Sequence, residues 1–450
     1  MIDRLLDKTI ENHFVSSKAA LLLTGARQVG KTFAIRKYAK EADLDLLEIN
    51  FYEDSEARSI FTDARDVREI LFRLSAYYNR TLKKGKTLVF FDEVQAFPDV
   101  ITWIKFLVDE GSFRYALSGS LLGVTLKDIR SIPVGYMSVE EVFPLDLQEF
   151  AQVLGVSRQV LGSIQHAWEQ RITVDPIVHK SMLRVVSLYL LVGGMPAVVQ
   201  TYLDTNDMHA VKMKQDEILK LYRWDIAQYD VQNKLYIDDI FSLIPSELNA
   251  KNKRFILKNL NEHRQFSRHE NGFIWLRDAG VALPTYNVSA PVAPLTLNEN
   301  RSLFKLFQND VGLLAAQYSE GMALKLLSGE ININYGAIYE NLVAQELRTH
   351  GWKLYYFNSK KQGEIDFLLE RDSDIIPIEV KSGKDYERHH ALKNILNTPD
   401  YAIHEAIVLS NENMQVKGNV VYAPIYMLMF IKRISSVVPL VYTINLDPLK

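Results

Sequence analysis

Between the apolar run Ala19-Ala20-Leu21-Leu22-Leu23 and the helix-like residues 33–38 lies Gly25-Ala26-Arg27-Gln28-Val29-Gly30-Lys31-Thr32, which fits G-x-x-x-x-G-K-[ST]. A strand feeding a glycine-rich turn and then a helix N-terminus presents backbone N–H groups to phosphate oxygens. Such a unit requires a parallel sheet to seat the strand, so it constrains the fold as well as the ligand. The pattern predicts that Lys31 reaches the β- and γ-phosphates of ATP and that the Thr32 hydroxyl holds Mg²⁺. Its partner is Thr87-Leu88-Val89-Phe90-Phe91-Asp92-Glu93, a buried strand ending in two carboxylates. Asp92 suits the Mg²⁺ shell, and Glu93 suits activation of the attacking water.

At 450 residues the chain has room for two or three domains. Apolar residues make up 48% and charged residues 24%, an ordinary globular balance. A formal charge of −3 argues against a uniformly basic nucleic-acid coat while leaving a local basic surface open. The absence of cysteine excludes disulfides, thiolate zinc sites and a cysteine nucleophile. The N-terminal residues lack the apolar centre of a signal peptide. The apolar run at 420–431 contains Pro424 and falls short of the ~20 residues that a spanning helix needs. These features predict a soluble, cytoplasmic protein with no membrane partner.

Strand and helix patterns alternate through the first 155 residues or so, as in a parallel sheet with crossover helices. From about 160 to 235 the pattern is nearly all helical and reads as a lid, interrupted at Gly193-Gly194-Met195-Pro196. Residues 236–303 begin with helices and end in a short β-rich stretch, the pattern of a winged-helix module. That module carries Lys251, Lys253, Arg254, Lys258, Arg264, Arg268 and Arg277 against Glu262 and Glu270, a composition suited to tracking DNA phosphates. A solvated charged face or a protein contact would give the same composition.

From 304 onward the strand and helix patterns alternate again. Gly363-Glu364-Ile365-Asp366 lies on one expected strand, and Ile378-Glu379-Val380-Lys381-Ser382 ends the next. Glu379 and Lys381, two apart, project to one face. If the strands are neighbours, Asp366 and Glu379 converge where they would hold Mg²⁺, with Lys381 positioning water for phosphodiester cleavage. Glu340 would add a further acid. A surface hairpin carrying charges is the alternative, although Asp366 lies inside an apolar run, where an unpaired charge is costly.

With these residues in view, the chain resembles a large group of bacterial and archaeal AAA-type ATPases. Their C-terminal domain of unknown function is related to restriction endonucleases and archaeal Holliday-junction resolvases. The likeness runs through residues 23–32, Phe91-Asp92-Glu93-Val94-Gln95, Leu117-Ser118-Gly119-Ser120 and residues 143–150. It continues through residues 193–198, Tyr222-Arg223-Trp224-Asp225-Ile226 and the two C-terminal strands. The resemblance implies an α/β fold in four parts: a P-loop AAA-type ATPase domain at 1–158, a helical lid at 159–235, a winged-helix module at 236–303, and a restriction-endonuclease-like domain at 304–450. It also implies that Ser118 or Ser120 is a sensor of the γ-phosphate or attacking water. Many members of the group carry Gly-Arg where this chain has Gly135-Tyr136. An arginine finger would then come from Arg114, Arg130 or Arg223, from a protein partner, or from a second copy. The function so implied is Mg²⁺-dependent ATP hydrolysis acting on DNA through the later domains. The alternative is a nucleotide-gated switch whose nuclease-like domain recognises a partner without cutting.

Overall fold

The computed structural model describes residues 2–120, 135–229, 234–250, 253–255, 266–318 and 335–433. The chain begins with α1 (Leu5–Ser16), followed by β1 (Ala20–Thr24), α2 (Lys31–Glu41) and β2 (Asp45–Asn50). Next come α3 (Val67–Tyr77), β3 (Thr87–Asp92), α4 (Val100–Glu110), β4 (Arg114–Ser118) and β5 (Met137–Glu141). The strands form a parallel sheet in the order β2-β3-β4-β1-β5. Helices cover both faces, which is why β1 and β3 read as unbroken apolar runs: every residue of both is buried. The order places β4 between β1 and β3, so Thr24, Ser118 and Asp92 all end at the same carboxyl edge, where ligands bind in such sheets.

After α5 (Leu147–Val153) come four helices, α6 (Arg158–Gln170), α7 (Pro176–Val192), α8 (Pro196–Thr205) and α9 (Met208–Tyr229). Asp146 and Glu149 form a reciprocal capping box at the start of α5. The α7–α8 break needs glycine. A Cβ on Gly194 would lie 2.1 Å from the Leu145 carbonyl oxygen, and Leu145 N donates to Gly194 O at 2.7 Å. No single helix among the described residues is long and apolar enough to cross a membrane.

The rest of the chain contains α10 (Lys234–Asn249), α11 (Phe266–Asp278), β6 (Ala282–Val288), β7 (Glu299–Gln308), α12 (Val311–Ala316) and α13 (Gly336–Thr349). Then follow β8 (Tyr355–Ser359), β9 (Gly363–Arg371), β10 (Asp374–Val380), α14 (His390–Leu396), β11 (Ala406–Ser410), β12 (Gln415–Lys417) and β13 (Val420–Pro424). A second sheet has the order β12-β13-β11-β10-β9-β8-β6-β7. The β-rich end expected of a winged helix is the antiparallel pair β6–β7, but β6 also pairs in parallel with β8. These strands therefore extend the C-terminal sheet, and the division drawn at 303/304 falls inside β7. Alternation reveals a strand without revealing its neighbour.

A continuous apolar core runs from Ile10 and Phe14 through Tyr189 and Phe307 to Ile431, joining the first sheet, the helices and the second sheet. Polar bolts cross it. Asp310, fully buried, accepts from Leu313 N at 2.9 Å and from Gly194 N at 2.7 Å. Glu346 on α13 accepts from Leu147 N at 2.8 Å. Arg4, just before α1, donates to Val29 O at 2.9 Å and Phe143 O at 2.9 Å, and pairs with Glu149 at 3.2 Å.

Two of these bolts generate tests. Burial pushes the Asp310 carboxyl from 3.8 up to about 6. An acid raised on folding favours the native state when protonated, so this contribution is complete below its unfolded value and is lost as pH rises through about 6. The urea-unfolding advantage of wild type over Asp310→Asn should therefore narrow by on the order of 2–3 kcal/mol between about pH 4 and about pH 7. Arg4→Ala strips the partner from buried Glu149 and should cost about 3 kcal/mol in the same assay, with a matching fall in nucleotide affinity because Val29 loses its brace.

Candidate nucleotide site

The turn from β1 into α2 uses backbone that L side chains avoid. Gly25 has φ +130°, where a Cβ would lie 2.3 Å from the Val142 carbonyl oxygen, and Gly30 caps α2 with φ 96°. Gln28 is held at φ 68°. Lys31 folds back into the loop and donates to Gly25 O at 2.9 Å and Ala26 O at 2.8 Å. Burial pushes its ammonium down to about 8, against the pull of Glu93 and Asp92. A buried cation satisfied only by loop carbonyls is well matched to an anionic ligand. Gly280, between α11 and β6, closes over the other side, where a Cβ would lie 2.7 Å from Ala26 N.

Asp92, 3% exposed, is the hub of the carboxyl edge. Thr32 Oγ1 donates to its carboxylate at 3.1 Å, the Ser118 hydroxyl donates to Oδ1, and Asn50 Nδ2 donates to Oδ2 at 3.4 Å. Burial raises the Asp92 pKa, opposed by the Ser118 hydrogen bond. Thr32 and Asp92 thus present hard oxygens side by side, a donor set that fits Mg²⁺. Glu93 leaves the strand with φ 54° and ψ 49°, which turns it away from the line of β3. Gln95 donates its side-chain amide to Glu93 and accepts from Ser120 N at 3.3 Å. Gly119 leaves room for this bridge, since a Cβ there would lie 2.6 Å from Gln95 Oε1.

Of the two sensor candidates, Ser118 touches Asp92, whereas Ser120 joins the Gln95 bridge through its backbone. Asn50 and Arg4 carry no mark in the sequence patterns, and Gln95 stands there only as part of the motif after Glu93, without a role. A polar residue ending β2 is the only signal that would have found Asn50.

Of the arginines considered for a finger, Arg114 donates to Phe14 O and lies over the Phe14 ring. Arg223 faces Asp238 at 3.8 Å and Ser242 Oγ at 3.2 Å. Arg130 lies outside the described residues. Asp225 on α9 reaches Arg27 of the phosphate loop at 2.8 Å. Trp224, its neighbour on α9, is 66% exposed.

In the second sheet Phe367 pairs with Ile378, so Asp366 and Glu379 occupy the next positions of adjacent strands. Asp366 accepts from Val380 N at 2.9 Å, and Lys381 pairs with Glu379 at 3.1 Å. Burial, reinforced by the charge of Asp366, pushes Glu379 up to about 8. Glu340 on α13 also reaches this cluster, but it meets cations of the chain. Lys253 pairs with it directly, and fully buried Lys305 stands 3.7 Å from it and 2.7 Å from Glu364. Among the described residues, no three acidic or histidine side chains are grouped to hold a metal ion. Lys381 thus stands beside Glu379, while Lys253 and Lys305 neutralise Glu340 rather than Asp366 or Glu379.

Of the basic residues expected to face DNA, Lys253 points into this cluster and Arg277 pairs with Asp278 at 2.8 Å. Lys251, Lys258, Arg264 and the Arg268 side chain lie outside the described residues.

Residues 17–151 match the family model of an AAA domain. Residues 184–323 and 335–428 match domains of unknown function (DUF8612 and DUF4143). No curated protein matches the chain. Among solved structures, the Walker-type ATPase paby2304 of Pyrococcus abyssi is 14% identical, covering 70% of this chain and 96% of its own at TM-score 0.42. The Aeropyrum pernix ORC1 protein, solved in complex with DNA, is 16% identical, covering 72% and 92% at TM-score 0.27. Cdc6p of Pyrobaculum aerophilum is 13% identical, covering 72% and 92% at TM-score 0.24. Residues 17–151, which contain the phosphate-loop turn and the Asp92 strand end, are thus the part of the chain that matches the AAA domain family.

Proposed function

We propose that the protein hydrolyses Mg·ATP at the carboxyl edge of its first sheet and uses the nucleotide state to gate partner recognition by its C-terminal half. The observation that carries the ATPase reading is the Asp92 carboxylate held by Thr32 and Ser118, with Glu93 turned out beside it. The loop N–H groups and Lys31 would bind the phosphates, while Thr32 and Asp92 would hold Mg²⁺. Bound there, Mg²⁺ would neutralise charge on the β- and γ-phosphates. Glu93 accepts a proton from water as that water's oxygen bonds to the γ-phosphorus, and the bond to the β–γ bridging oxygen breaks to release ADP and phosphate. Gln95 sets the orientation of Glu93 before the reaction, and Ser118 keeps Asp92 aimed at Thr32.

The Lys253 and Lys305 ammonium groups beside Glu340 favour a C-terminal domain that recognises a partner without cutting. The meeting of Asp366, Glu379 and Lys381 favours the second reading, metal-dependent cleavage of DNA. A partner or a second copy of the chain would be the recognised object under the first reading.

Steady-state ATP turnover is the first test. Glu93→Gln should lower it by on the order of 10²- to 10³-fold while retaining nucleotide binding. Equal turnover in wild type and Glu93→Gln would remove the assignment of the base. Adding DNA separates the readings further, since a rise in turnover that Glu93→Gln abolishes would make DNA the partner. A divalent-dependent nuclease assay on wild type beside Lys381→Ala addresses the second sheet. The scaffold reading expects no cleavage that depends on Lys381, and cleavage lost in the variant would establish the cutting reading.

A further inference from the structure

Arg114 and Arg223 are engaged elsewhere, with Phe14 and with Asp238, yet a guanidinium is already at the phosphate loop. Arg27 belongs to the loop itself, and its side chain is 34% exposed. It pairs with Asp225 at 2.8 Å and lies 5.6 Å from the centre of the Tyr52 ring. The Asp225 carboxyl lies within the fields of Glu93 and Lys31, the groups that would flank a bound γ-phosphate, and burial together with the Glu93 charge raises its pKa while Arg27 opposes this. The ion pair thus ties α9 to the phosphate loop. A carboxylate and a phosphate engage guanidinium through the same forked geometry, so each competes with the other for Arg27.

We infer that Arg27 is the cation this domain brings to the transferred phosphate in cis, and that Asp225 on α9 holds it in reserve until a γ-phosphate takes the carboxylate's place. This inference rests on the ATPase reading above and adds a residue and a switch to it. The substrate class is a nucleoside triphosphate, told from a diphosphate by the group that displaces Asp225. Release of Arg27 leaves Asp225 without its cation, so α9 feels the loss of an electrostatic tie to the loop. A neighbouring contact carries the consequence onward. Tyr222, one turn before Asp225, donates its hydroxyl to Arg27 O at 3.3 Å and accepts from Asn309 Nδ2 at 3.3 Å. Asn309 follows β7 and precedes the Asp310 bolt, so the loop, α9 and the second sheet share one chain of contacts.

The test uses the full chain and compares binding of ATPγS and ADP with steady-state turnover. Arg27→Ala should lower turnover by on the order of 10³-fold. It should cut the preference for ATPγS over ADP by about tenfold or more, as loss of a charge-assisted hydrogen bond requires, and leave ADP affinity in place. Arg27→Lys keeps the charge without the fork and should fall between. Asp225→Asn frees Arg27 and should raise ATPγS affinity by roughly two- to fivefold, the worth of a partly exposed pair. The double variant should behave as Arg27→Ala. Thermal melting of Arg27→Lys and Asp225→Asn checks that the fold is retained. An equal loss of ATPγS and ADP affinity in Arg27→Ala would overturn the inference, as would unchanged turnover or weakened ATPγS binding by Asp225→Asn. If wild type turns over ATP in a Glu93-dependent manner while Arg27→Ala matches it, the ATPase reading stands and this inference falls. If wild type binds neither nucleotide, both fall.

Discussion

A carboxylate taken out of water must be given partners, and the first half of the molecule is arranged to supply them for Asp92. The parallel order of its sheet sets Asn50, Asp92 and Ser118 at the ends of adjacent strands, and the turn after β1 returns Thr32 to the same edge. Each partner comes from a different element, so the carboxylate reports on whether the whole edge has assembled. Glu93 depends on this arrangement too, because its left-handed backbone takes its direction from the strand end that Asp92 anchors.

What could be read beforehand tracks the range of the interactions. The phosphate loop was legible because its chemistry is local: a turn with Gly25 and Gly30 at positive φ admits few other residues, and Lys31 and Thr32 must follow at fixed distance. The acidic strand was legible because an apolar run ending in two carboxylates has a recognisable form. Arg4 left no such mark, since its partners Phe143 and Glu149 are distant in sequence and the contact exists only once α1 has docked. Asp225 shows the same limit. Its partner Arg27 lies nearly 200 positions earlier, and only the fold brings the phosphate loop within reach. In the later part of the chain, β6 and β7 were legible as strands, but their membership of the second sheet rests on pairing with β8, some 70 residues on.

The second cluster teaches a different lesson about reading charge. Asp366, Glu379 and Lys381 meet as their spacing requires, because residues opposite each other on adjacent strands share a face. Their spacing carries no information about Lys253 and Lys305, which arrive from outside the two strands and set the balance of charge beside Glu340. The same three residues can support either chemistry or scaffolding, and the neighbours decide.

The core that joins Ile10 to Ile431 has a consequence for how the molecule comes apart. Where modules meet through thin polar interfaces, each can melt or be excised on its own. Here the faces that would be parted are apolar and mutually buried, so separation exposes the interior of both halves to water. The sequence boundaries therefore mark changes in pattern rather than seams, and the AAA domain owes part of its solidity to residues hundreds of positions downstream.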